Sequence, residues 1–154
     1  MEYLVRAARV TDIERFVALS DESLRVERGE SLLGSADLLR QLVYLPQADI
    51  VVAETRRVVV GGAILSLRPS VRAGGYVGTI DLLVVDPAHD VDRLTEALLD
   101  ELLRSARNKG CTVVEAAQPD DPDAQARWER MGFRPARARL YRTVTAAGAA
   151  IRTS

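Results

Sequence analysis

The chain is poor in the cysteine and histidine that carry soft-metal and redox chemistry, and it has no surplus of basic charge. Its 154 residues include one cysteine, Cys111, and one histidine, His89. A lone cysteine excludes an internal disulfide and a cysteine-based zinc site. A lone histidine removes His–His metal pairs and weakens any Ser/His/Asp arrangement. Lysine is nearly missing as well: Lys109 is the only one, and every other basic residue is arginine. That pattern reads as base-composition bias, because bidentate chemistry is not needed at every such position. No charge excess exists, with 21 Lys+Arg against 22 Asp+Glu and a net charge of −1. A general polyanion binder would carry a basic surplus, so nucleic acid is not an expected partner. Apolar runs such as Val58 to Leu65 fall far short of a membrane span. The opening Met1-Glu2-Tyr3-Leu4-Val5-Arg6 lacks the basic stretch and long apolar core of a secretory signal. The expectation is a cytoplasmic, reduced protein with no metal and no membrane partner.

What is present is ordinary globular material, 47% hydrophobic and 28% charged, in a length that suits one domain. No repeat, low-complexity block or linker divides it. One domain is expected over 1–144, followed by a small polar tail over 145–154 that should be loosely ordered. Leu4 to Arg9 reads as a first strand. Thr11-Asp12-Ile13-Glu14 caps a helix carrying Ile13, Phe16 and Val17. Ser35 can cap a second helix with an apolar face of Leu38, Leu39, Leu42 and Val43. Ile50 to Glu54 and Val58 to Leu67 predict a hairpin across Thr55-Arg56-Arg57, and Gly61-Gly62 predicts a bulge or close backbone approach. Tyr76 to Val85 and Thr112 to Ala117 read as strands buried on both faces. Between them, Asp90 to Asn108 has the broad apolar stripe of a long helix, closed by Lys109-Gly110. Asp121-Pro122-Asp123 reads as N-cap, N1 proline and acidic first turn of a short helix. A final strand pair is expected after Gly132-Phe133. The order β-α-α-β-β-β-α-β-α-β-β predicts a mixed α/β sheet with helices on both faces.

Three fragments carry a family resemblance. Leu83-Val84-Val85-Asp86-Pro87-Ala88-His89, with the following helix containing Ala97-Leu98-Leu99, resembles the central motif of the GNAT superfamily of acyl-CoA-dependent N-acetyltransferases. Ala124-x-x-Arg127-Trp128-Glu129-Arg130-Met131-Gly132-Phe133 resembles its second motif, and Val5-Arg6-x-Ala8-x-x-x-Asp12 its usual opening. The likeness spans about residues 4 to 144. It implies an α/β (α+β) fold with a mostly antiparallel central sheet. It also implies an acetyl-CoA or other acyl-CoA co-substrate, a small-molecule or protein amine as acceptor, and room for a homodimer.

The resemblance also assigns site residues. The backbone of Leu83, Val84 and Val85 would bind acyl-CoA. Asp81 stands on the strand where relatives often place a glutamate base, and one methylene less favours a water relay to the amine. Asp121 matches a position that often contacts the CoA arm, although it already serves as an N-cap. Trp128 stands where a tyrosine often protonates the leaving thiolate; an indole N–H cannot do so, and packing explains it better. Tyr141 is the nearby hydroxyl considered as a replacement acid. Cys111 reads as a small hydrophobe and His89 as an exposed loop residue. Asp21, Glu22, Glu27 and Glu30 lie where the family frames its acceptor, and otherwise form a solvated acidic face.

One departure is prominent. In the family an Arg/Gln-x-x-Gly-x-Gly/Ala loop closes around the CoA pyrophosphate, using free N–H groups at the helix start. Here that stretch is Asp90-Val91-Asp92-Arg93-Leu94-Thr95. A carboxylate about 5 Å from a phosphate costs roughly 3 kcal/mol at an effective dielectric near 20. Leu94 and Thr95 add side chains where close approach is required. Two readings follow. One is an N-acyltransferase in which Arg93, Leu94 and Thr95 still form the phosphate turn, with Arg93 as the contact. The other is a non-catalytic binding or regulatory protein on the same fold. Binding of acetyl-CoA discriminates them.

Overall fold

The computed structural model describes residues 2–28, 36–136, 140 and 142–144. Among them are β1 (Leu4–Ala7), a 3₁₀ turn (Val10–Asp12), α1 (Ile13–Arg28), α2 (Ala36–Leu42), β2 (Ala48–Thr55) and β3 (Val58–Ser70). Then come β4 (Gly75–Val85), α3 (Val91–Asn108), β5 (Cys111–Ala116) and α4 (Pro122–Arg130). The five strands lie in chain order, antiparallel from β1 to β4, with β5 parallel to β4. Parallel strands require a crossover, and α3 supplies it.

The two faces bury different helices. On one, Ile13, Phe16, Val17 and Leu19 of α1 and Leu39 of α2 pack on Ile50, Val52, Ile64 and Val84. On the other, Leu94, Leu98, Leu99, Leu102 and Ala106 of α3 cover Val51, Ala63, Leu65 and Ile80. The period-3.6 stripe of α3 and the period-2 alternation of the strands thus meet as the sequence implies. Gly62 is where the first face demands glycine: a Cβ there would stand 2.3 Å from Cε2 of Phe16. A bulge also occurs beside the glycine pair, since Ala53 pairs with Gly61 and Glu54 with Val59, leaving Val60 extra.

The β2–β3 turn is unusual in its residues. Arg56 and Arg57 hold φ values of 51° and 65°, the left-handed conformation of a two-residue hairpin normally given to Asn-Gly. Each arginine there carries strain of roughly 1–2 kcal/mol.

Several expectations need correction. β5 is not buried on both faces: Thr112 and Val113 are exposed and the rest of the strand is half-buried, because it is the edge of the described sheet. Leu38, expected on the apolar face of α2, is exposed, and Leu39 alone of that helix is fully buried. Asp21 belongs to no solvated face; it is buried and partnered. The described residues after Phe133 contain no strand. Ser35, Tyr141 and the tail over 145–154 lie outside the described residues.

Candidate functional site

β4 holds an open edge, created by two features of its pairing. Ile64 pairs with Leu82 and Leu65 with Ile80, so Asp81 is an extra residue bulged out of the ladder. On the other side, pairing with β5 ends at Ile80 opposite Ala116. Five more residues of β4 therefore run on with no strand paired to that edge among the described residues. The Asp86 N–H donates to the Val60 carbonyl at 2.7 Å. Counting back by twos, Val84 and Leu82 face β3, and Leu83 and Val85 turn their N–H and C=O groups outward. Peptide groups that lack a strand partner in this way are ready to pair with an extended amide-bearing ligand.

The sequence-derived residues distribute around this edge unequally. Leu83 and Val85 present backbone groups to it, while Val84 commits its backbone to Gly62 of β3 and its side chain to the α1 core. Asp81 is exposed. The bulge replaces the burial expected for it from strand alternation, so desolvation no longer argues for its role. Leu94 and Thr95 are buried, and the Leu94 N–H already donates to the Asp90 carbonyl at 2.9 Å.

The start of α3 is capped by the chain itself. A carboxylate oxygen of Asp90 accepts from the Arg93 N–H at 3.1 Å, as expected of an aspartate before the first turn. The Asp90 N–H donates to the Tyr3 hydroxyl at 3.1 Å. His89 is half-buried rather than exposed, its ring set edge-on to Tyr3 at 6.0 Å. The Arg93 guanidinium lies 5.5 Å above the Tyr3 ring. Arg93 also lines an open depression of about 1020 Å³ with Tyr3, Glu54 and Arg56. Arg93 thus sits toward β1 and β2.

Asp92 sits toward α4. Its Oδ1 accepts from Nε of Arg127 and lies 3.7 Å from Arg130. The Arg127 hydrogen bond and the charge of both arginines hold the Asp92 carboxyl below the usual range. α4 itself follows its sequence signals: Asp121 caps it by accepting from the Asp123 N–H at 3.3 Å, and Pro122 occupies the first turn. Trp128 packs edge-on against Phe133 at 4.9 Å and against the α3 core, a packing aromatic. Burial pushes the Cys111 thiol upward, consistent with an inert small side chain. In the sequence Arg127 and Arg130 stand only as letters of the second motif. Their i, i+3 spacing put them on one helix face, but no local signal links them to a residue 35 positions earlier.

The Acetyltransferase (GNAT) family model matches residues 8–133. The chain belongs to this family. A glucosamine 6-phosphate N-acetyltransferase of Trypanosoma brucei brucei is 34% identical over 79 residues, covering 49% of this chain and 51% of that protein. The matched region is thus about half the length of that relative. Among solved structures, a transcriptional regulator from Bacillus halodurans C-125 superposes with a TM-score of 0.81 at 21% identity, covering 93% of this chain and all of that one. A ribosomal-protein-alanine N-acetyltransferase from Brucella melitensis biovar Abortus 2308 gives 0.73 at 16% identity, covering 94% and 100%. These likenesses establish a GNAT fold. No helix among the described residues is long and apolar enough to cross a membrane.

Proposed function

We propose that this GNAT-family chain transfers an acyl group, acetyl in the first instance, from acyl-CoA directly to a primary amine. The observation that carries the reading is the open edge of β4: the outward peptide groups of Leu83 and Val85 supply donors and acceptors for the amides of a pantetheine arm. The reaction breaks the thioester C–S bond and forms an amide C–N bond. The amine gives up a proton and the CoA thiolate takes one. Asp81 is the acceptor of the amine proton, reached through one water because its side chain is short, and its exposure leaves room for that water. Tyr141 is the candidate for protonating the thiolate. Asp121, at the cap of α4, is the further candidate contact for the CoA arm. The acceptor to try first is an amino-sugar phosphate, the substrate class in the name of the Trypanosoma relative. A reduced cytoplasm, where acyl-CoA is available, suits the chemistry.

One observation favours the second reading, a non-catalytic binding protein: the Asp90 carboxylate already occupies the Arg93 N–H that a family pyrophosphate would use. Thermal denaturation with acetyl-CoA decides between them. A ligand at about 100 times its dissociation constant stabilises by about 2.7 kcal/mol, which for this length raises Tm by roughly 5–10 °C. A shift of that size, with free thiol released when glucosamine 6-phosphate or another amine is added, is the expected result. An unmoved Tm at millimolar acetyl-CoA would leave the non-catalytic reading.

In the active protein, Asp81→Asn should lower kcat by about a hundredfold or more, the lower end of general-base contributions, with Tm unchanged because the residue is exposed. The deficit should shrink as pH rises and more amine is free. Equal kcat in wild type and variant would remove Asp81 from the mechanism.

A further inference from the structure

The acidic first turn of α3, which opposes a phosphate by charge, arrives with counter-charge from another helix. Arg127 engages Asp92 through Nε, and among the described residues its two Nη groups donate to nothing else. Arg130 stands one turn along the same face of α4, 3.7 Å from the same carboxylate oxygen. We propose that Arg127 and Arg130 are the pyrophosphate-binding pair of this chain, with Asp92 as the carboxylate that positions them beside the start of α3. The proposal rests on the acyl-CoA reading above and adds to it the groups that take over from the missing glycine loop.

Three observations support it. The first is direction. The outward edge of β4 faces the side of β5, and α4 follows β5 in the chain, so the arginines are on the side where the ligand's arm would lie. Arg93 is turned to Tyr3, toward β1 and β2. The second is preorganisation. The Arg127 side chain is only 18% exposed while Asp92 is 62% exposed; Trp128, the next residue, fixes the roll of α4 by packing into the α3 core. A guanidinium held by Nε still offers its Nη donors in a planar fork that matches phosphate oxygens. The third is charge. Two guanidinium groups face the single Asp92 carboxylate, which offsets the negative charge of this first turn, while the Asp90 carboxylate is turned to the Arg93 N–H. The Asp92 end of the pair is open to solvent, so the pair adds little to stability; glutamine at 127 keeps much of the packed stem, so the fold should stay intact.

The test compares acetyl-CoA with S-acetylpantetheine, which has the same thioester and amide arm but no pyrophosphate, by titration calorimetry at low and moderate salt. Wild type is expected to bind acetyl-CoA at least tenfold more tightly, with the advantage shrinking as salt rises. The double variant Arg127→Gln/Arg130→Gln should lose that advantage while binding S-acetylpantetheine as wild type does, with unchanged Tm. Arg107→Gln, at the exposed far end of α3, should change neither. If the double variant keeps wild-type acetyl-CoA affinity, the arginine pair is overturned and the acyl-CoA reading stands. If wild type binds neither ligand, both fall.

Discussion

Alanine at Gly62 is expected to destabilise the protein by about 3 kcal/mol, the upper part of the range for forcing extra atoms into a packed core. The reason is geometric. A Cβ at this position would meet Cε2 and Cδ2 of Phe16 at 2.3 and 2.5 Å and the Val51 carbonyl at 3.3 Å. Phe16 is fully buried, so its ring has nowhere to withdraw without moving α1 from the sheet. At roughly 2–4 °C per kcal/mol for this length, Tm should fall by about 6–12 °C. The clash also predicts its own rescue. Phe16→Leu alone should be mildly destabilising, but in the Gly62→Ala background it should recover part of the loss, giving a coupling of about 1 kcal/mol or more. Additive effects in that double-mutant cycle would show that the ring and the glycine do not compete for the same space.

The same position shows which parts of the molecule could be read from residue order alone. Gly61-Gly62 in an otherwise β-rich run announces a close approach, though not which ring makes it. Asp90 and Asp121 announce themselves as caps, because an aspartate before an apolar-periodic segment has few other local uses. The leucine stripe of α3 is legible for a similar reason: its period is a local property. What could not be read depends on pairing across the chain. Asp81 alternates in phase with Leu83 and Val85, and nothing in that pattern tells that the ladder skips it. Its exposure follows from the bulge. The acid at Asp92 looks like a barrier to phosphate when only its own loop is in view. Its two arginines come from a helix whose placement depends on Trp128 and Phe133 filling the far end of the core. β5 reads as an interior strand because Val113 and Val114 are β-branched, a preference that an edge strand satisfies equally well. Arg56-Arg57 lacked every usual turn former, and the two flanking strands alone located the hairpin.

Replacing Arg6 with methionine should be as damaging as the glycine change, and its effect should depend on pH. The Arg6 guanidinium donates to both carboxylate oxygens of Asp12, at 2.7 and 3.0 Å, and to Glu54 at 2.9 and 3.1 Å. The three side chains are between 10% and 19% exposed. This joins β1, β2 and the turn that starts α1. The Asp12 carboxylate also accepts from the Arg9 N–H at 2.7 Å, so removing the arginine strands two half-desolvated carboxylates, one of which organises the entry to α1. Losing one partner of such a network costs about 3 kcal/mol. Arg6→Lys keeps the charge without the fork and should lie between wild type and Arg6→Met. The hydrogen bond from Arg6, aided by that from the Arg9 amide and by both charges, holds the Asp12 carboxyl below its ordinary value despite partial burial. A depressed folded-state value means that the unfolded chain binds the proton first as pH falls. The stabilisation from Asp12 is therefore complete at neutral pH, begins to fade as pH drops to the ordinary aspartate value near about 4, and is gone only below the depressed value. The arginine is shifted upward by the same contacts, chiefly the Asp12 hydrogen bond. Its share is present below the ordinary arginine value and is lost only in strong alkali. Urea unfolding measured from pH 7 down to pH 3 should show the gap between wild type and Arg6→Met narrowing across the acid limb. A gap that stays constant over that span would mean that Asp12 is not stabilised through Arg6, and that the loss in the variant comes from packing of the arginine stem.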